Sequence, residues 1–189
     1  METGTIGTTP SSVDRVEANQ RQRQERGYYR IAFIEDNPDI IDQLETEFQP
    51  RTDVFVLTYL NPLRALIDFD RRHYDVDAII TDIAMPQKNG RALTEEIREQ
   101  EHVRGKKKPV ELFWYTGWPI DLDDRLSSFA QTFHEAGVRK LYVKGDQDGP
   151  STPVQVVNDV VEYLNSIKDT SNADKTAQET TGPEPDRQA

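Results

Sequence analysis

The chain has 189 residues, with 34 Asp and Glu against 23 Lys and Arg, no cysteine, and a formal net charge of −11 at neutral pH. That length suits one domain, or one domain with tails, and the acidic balance argues against nucleic acid as a direct partner, because neutralising phosphates needs a basic surface. No stretch approaches the roughly 18 apolar residues of a membrane span and no signal peptide is visible; the lack of cysteine excludes disulfides and thiolate chemistry and fits a cytoplasmic location.

Residues 1–29 are polar and read as an N-terminal tail, with Val13–Arg26 as a possible polar helix. From residue 30, strand and helix signals alternate. Arg30–Ile34 is a short apolar run, hence a first strand. Pro38 opens a helix with Ile40, Ile41, Leu44 and Phe48 on one face. Val54–Leu57 is a second strand, and Asn61-Pro62 starts a helix through Leu66 and Ile67. Val76–Thr81 is a third strand ending at Asp82, and Gly90 precedes a helix carrying Leu93 and Ile97. Val110–Tyr115 is a fourth strand. Leu122, Leu126, Phe129, Ala130 and Phe133 predict a fourth helix closed by Gly137. Val138–Val143 is a fifth strand, and Ser151-Thr-Pro153 starts a last helix with Val157, Val160, Val161, Leu164 and Ile167 on one side. Residues 169–189 are polar and are expected to be disordered, since they bury too little to offset ordering entropy. The domain is therefore expected over residues 30–168.

Five β/α repeats with short connections imply a parallel sheet covered on both faces. In such a fold the ligand site lies beyond the C-terminal ends of the strands. Those ends carry Glu35-Asp36, Asp82, Thr116-Gly117 and Lys144-Gly145. Two carboxylates about 4 Å apart repel by about 4 kcal/mol at an effective dielectric near 20, so three on one rim call for a cation. The donors are all oxygen, which selects a hard ion such as Mg2+. His73, His102 and His134 are scattered and show no metal-ligand spacing. A carboxylate beside Mg2+, with a lysine and a hydroxyl opposite, suits phosphoryl transfer through an acyl phosphate.

With Glu35-Asp36, Asp82 followed by Met85-Pro86 and Gly90, Thr116-Gly117 and Lys144 in this order, residues 30–168 resemble the receiver domain of two-component response regulators. The resemblance implies an α/β, flavodoxin-like three-layer sandwich, with a five-stranded parallel sheet of order 2-1-3-4-5 and five helices. It implies Asp82 as phosphoacceptor, with Mg2+ held by Asp36, Asp82 and the backbone carbonyl of Ala84, and by Glu35 through a metal-bound water. Thr116, Gly117 and Lys144 would hold the phosphoryl group. Thr116 would move inward and carry the signal to the surface formed by the fourth predicted helix, strand five and the last helix. The phosphodonor would be a sensor histidine kinase or a phosphotransfer protein, and the output a phosphorylation-dependent contact with another protein in a phosphorelay.

Some positions depart from that pattern. Gly145 stands where proline usually follows the lysine, so a cis bond is not expected there. Leu141 stands where an aromatic switch residue is usual, with Tyr142 on the opposite face. Trp118 is bulky for the pocket mouth and would limit access of water. Phe113, Trp114 and Tyr115 read as a core strand rather than a stacking platform, and the run Arg104, Lys106, Lys107, Lys108 as a solvated loop.

About 20 polar residues follow the domain, so the leading expectation is a single-domain regulator rather than an enzyme. Its only reactions would be its own phosphorylation and dephosphorylation. The alternative is a receiver-shaped binding module that does not use phosphorylation. A phosphatase of the haloacid-dehalogenase type is disfavoured, because Ala84 stands where its second aspartate would be.

Overall fold

The computed structural model describes residues 27–72, 75–106, 108–117, 133 and 135–179. In chain order the elements are β1 (Tyr29–Ile34), α1 (Pro38–Phe48), β2 (Val54–Tyr59), α2 (Pro62–Arg72), β3 (Ala78–Asp82), α3 (Gly90–Val103), β4 (Glu111–Thr116), β5 (Val138–Val143) and α4 (Pro153–Glu179). The five strands form one parallel sheet in the order β2-β1-β3-β4-β5. This is the flavodoxin-like order expected, and it places the reversal of strand order between β1 and β3.

Alternation along the strands sends successive side chains to opposite faces. Ala32, Ile34, Ile79, Leu112 and Trp114 meet Ala65, Leu66 and Phe69 of α2 and Leu93 and Ile97 of α3. Ile31, Phe33, Ile80, Phe113, Tyr115 and Tyr142 meet Leu44 and Phe48 of α1 and the valines of α4. Each fully buried aliphatic or aromatic side chain stabilises the fold by about 1.5–3 kcal/mol. Phe113, Trp114 and Tyr115 are all buried, as expected of a core strand. The indole Nε1 of Trp114 donates to Thr94 Oγ1 at 3.0 Å, which satisfies its polar atom inside the core.

The helix starts follow local chemistry. The side chains of Asn37, Asn61 and Asn89 accept from the backbone N–H groups of Asp39, Leu63 and Ala92, at 3.0, 2.8 and 2.8 Å. Pro38 and Pro62 each occupy the first turn that follows.

Four helices lie among the described residues where five were expected. The missing helix, predicted through Leu122 to Phe133, falls outside them except for Phe133, whose ring meets Trp114 edge-on at 5.9 Å. Two elements run past the bounds expected from the sequence. Tyr29 belongs to the sheet and not to the tail: it pairs with Val54, its N–H donates to Asp53 O at 2.9 Å, and its hydroxyl donates to Asn165 at 2.8 Å. The last helix, expected to end near residue 168, continues to Glu179. The segment from Asp169 to Glu179 contains helix formers and meets neither glycine nor proline before Gly182-Pro183. Residues 1–26 and 180–189 lie outside the described residues.

The basic run before β4 is also not a wholly solvated loop. The Lys106 side chain is 4% exposed and pairs with the equally buried side chain of Glu101 at 2.9 Å. Arg104 pairs with Asp70 of α2. Among the described residues no helix is long and apolar enough to cross a membrane.

Candidate functional site

Because every strand runs the same way, all five C-terminal ends share one rim. Glu35 follows β1, and its N–H still donates to Tyr59 O on β2 at 3.0 Å. Asp82 ends β3 opposite Tyr115. Thr116 ends β4 and is fully buried. Lys144 follows β5, and its N–H donates to Thr116 O at 2.7 Å.

These backbone anchors bring the side chains together. The Lys144 ammonium donates to Glu35 Oε2 at 2.7 Å and to Asp82 Oδ2 at 2.8 Å. The other Asp82 oxygen, Oδ1, accepts the Ala84 N–H at 3.0 Å. Glu35 Oε1 accepts the Asn37 N–H at 3.3 Å. One carboxylate oxygen from each of Glu35, Asp36 and Asp82 lies within 4.8 Å of the others. The side chains of Glu35 and Asp82 are 1% and 6% exposed, and that of Lys144 is 23% exposed.

Burial pushes the Glu35 carboxyl up to about 7; the Lys144 hydrogen bond pulls it down and the charge of Asp82 adds to the rise. Burial alone would lower Lys144, but its bonds to Asp82 and Glu35 outweigh that and raise it. One ammonium among three carboxylates leaves a negative surplus in a poorly solvated place. All-oxygen donors at this spacing fit a hard divalent cation.

The loop after β3 holds Asp82 in position. Gly90 N–H donates to Ile83 O at 2.9 Å, closing the loop on itself. A Cβ on Gly90 would lie 2.3 Å from Asp82 O, so only glycine lets α3 begin this close to the acidic residue. Met85 is buried in the core and Pro86 follows it. After β5, Gly145 has φ +78°, and the Asp146 N–H donates to Val143 O at 3.2 Å. Lys144-Gly145 therefore forms the corner of a tight turn that needs glycine at its second position. No cis peptide bond occurs among the described residues.

Glu35, Asp36, Asp82 and Lys144 thus meet, with Ala84 and Thr116 joined to them through backbone bonds. Gly117 lies against the Lys144 side chain, where a Cβ would sit 3.2 Å from Lys144 Cδ. Trp118 lies outside the described residues. Leu141 packs partly buried on the α2–α3 face, and Tyr142 is buried on the α1–α4 face, as their alternation requires. Tyr142 donates to Asp159 Oδ2 at 2.6 Å.

Sequence reasoning missed Tyr115. Its ring centroid lies 4.9 Å from the Lys144 ammonium, and its hydroxyl donates to Ser151 O at 3.0 Å. The available signal was its place beside Thr116, one strand away from the lysine.

Residues 31–110 match the family model of the response regulator receiver domain. No curated protein sequence matches the chain closely enough to count as a relative. Solved structures share its fold. A two-component response regulator of the LuxR family from Aurantimonas sp. SI85-9A1 is 18% identical, covering 74% of this chain and 86% of its own, with a TM-score of 0.54. The receiver domain of Francisella response regulator 1452 is 15% identical, covering 74% and 98%, with a TM-score of 0.55. The signal receiver domain of an HD-domain-containing protein from Pseudomonas fluorescens Pf-5 is 18% identical, covering 74% and 98%, with a TM-score of 0.53. At these identities the likeness is one of fold, and it agrees with the match of residues 31–110 to the receiver-domain model.

Proposed function

We propose that this receiver, over residues 30–168, is phosphorylated on Asp82 and signals by binding another protein in a phosphorylation-dependent way. The observation that carries the reading is the Lys144 ammonium bonded to both Asp82 and Glu35, with Asp36 in reach of the same point. Asp36, Asp82 and the Ala84 carbonyl would hold Mg2+, with Glu35 acting through water. When bound, Mg2+ supplies positive charge for the transferring oxygens.

The chain's own residues supply the rest. A carboxylate oxygen of Asp82 attacks phosphorus and forms an acyl phosphate. The bond from phosphorus to the donor breaks, and the donor leaves with its electron pair. Lys144 stays paired to the new phosphoryl oxygens, and the Thr116 hydroxyl donates to another. The donor is a phosphohistidine on a sensor kinase or phosphotransfer protein. The reaction stops at the protein's own modification, so it is not an enzyme for external substrates. A cytoplasmic location follows from a kinase partner of this kind. The segments before Tyr29 and beyond the domain would be accessory.

Leu141 in the usual switch position favours a second reading, a receiver-shaped binding module indifferent to phosphate. Incubation with Mg2+ and acetyl phosphate, followed by intact mass, separates the two. One added phosphate per chain that disappears in Asp82→Asn is the expected result. No label from acetyl phosphate or a phosphohistidine donor would leave the binding module.

A further inference from the structure

We propose that Tyr115 is a positioning residue for Lys144: its ring face carries the ammonium above Asp82, and its hydroxyl anchors the loop before α4 to the same point. The inference rests on the phosphoacceptor reading and adds a residue to it.

The lysine side chain is long and flexible, and a single geometry costs it rotamer entropy. Three contacts oppose that cost. Two are the hydrogen bonds to Glu35 and Asp82. The third is the Tyr115 ring, 4.9 Å from the nitrogen, within the range where a cation is attracted to an aromatic face. The Asp82 contact changes when that residue becomes an acyl phosphate, since one of its oxygens is then esterified. The Tyr115 ring and Glu35 contribute no reacting atom, so both can hold the ammonium while that contact changes.

Tyr115 can serve because it is itself fixed. It is 2% exposed, and its ring meets Phe33 edge-on at 5.7 Å. Its hydroxyl donates to Ser151 O at 3.0 Å. Ser151 stands just before α4, so the turn at Lys144-Gly145 and the start of the last helix are both tied to one side chain.

The test uses the full chain and three variants. Tyr115→Phe keeps the ring, Tyr115→Leu removes it, and Tyr115→Met removes it with a flexible, unbranched side chain that can fill the space differently. The first readout is the proton resonance of the Lys144 ε-methylene, assigned by its disappearance in Lys144→Met. A ring-current shift upfield is expected in the wild type and in Tyr115→Phe, and its loss in the other two. The second is the rate of labelling by acetyl phosphate with Mg2+. We expect it close to wild type in Tyr115→Phe and roughly threefold to thirtyfold slower without the ring. The third is amide exchange over residues 145–152, faster in Tyr115→Phe than in the wild type. An unshifted Lys144 resonance in the wild type overturns the proposal, as does wild-type labelling in a folded ring-less variant. A wild type that shows the shift but takes no phosphate overturns the phosphoacceptor reading instead, and leaves the contact standing.

Discussion

The two rims of the sheet hold charge clusters of opposite stoichiometry. At the C-terminal rim one cation, Lys144, bridges two carboxylates, with Asp36 close by as a third. At the N-terminal rim one carboxylate, Glu101, lies between two cations. Its Oε2 accepts from Arg98 at 2.6 Å, and its Oε1 accepts from Lys106 at 2.9 Å and from the Val110 N–H at 2.7 Å. Arg98 also donates to the carbonyls of Val110 and Gly137 at 3.0 and 2.9 Å. Both clusters are built from the same bonds and are similarly buried. The acidic one carries a negative surplus that a cation would neutralise. The basic one has every oxygen of its carboxylate occupied and serves to tie α3 to the starts of β4 and β5. Charge balance, rather than burial, separates the site from the scaffold.

That contrast predicts effects of different size. The largest is expected from Glu101→Ala, which removes the carboxylate held between Arg98 and Lys106. Losing one member of a buried pair costs about 3–5 kcal/mol, measurable by urea denaturation. If the two rims are independent, millimolar Mg2+ should raise the melting temperature of this variant by as much as that of the wild type. A lost Mg2+ response would join the clusters into one unit.

Gly90→Ala should act at the acidic rim alone. Its Cβ would strike the Asp82 backbone, and overpacking of this kind costs about 1–3 kcal/mol. The shift of Asp82 should also blunt the rise in melting temperature with Mg2+. A variant with full stability and a full Mg2+ response would show that the loop tolerates displacement.

The smallest effect concerns an evenly matched pair midway along the sheet. Asp159 accepts from Lys140 and Tyr142 at 2.8 and 2.6 Å. Burial alone would raise its carboxyl, but those two bonds outweigh it and hold it below its ordinary 3.8. Its stabilisation is therefore complete above pH 3.8 and is lost as pH falls through the lower folded value. The stability difference between wild type and Asp159→Asn should shrink on acidification through that window. A difference independent of pH would remove the carboxylate from the balance.

The rim carrying Glu35, Asp82 and Lys144 was legible in the sequence because strand ends are fixed by apolar runs, and a parallel sheet gathers those ends on one side. The buried Glu101–Lys106 pair was not. A basic run looks solvated until a carboxylate from the preceding helix turns out to be folded over it. Tyr115 escaped for a related reason. Alternation assigns its ring to the core, and nothing along the chain says that a lysine from the adjacent strand will bend across that ring. The end of α4 was not legible because a polar stretch with few apolar positions satisfies the criteria for disorder and for a polar helix alike.

Trp114 is one of only two tryptophans, and its indole is bonded to Thr94 in a helix whose first residue rests on the backbone of Asp82. A displacement at that carboxylate would pass through one rigid turn of helix to a buried fluorophore. The molecule therefore contains its own optical gauge, and changes at its acidic end should be visible as a change in ultraviolet emission without any attached dye.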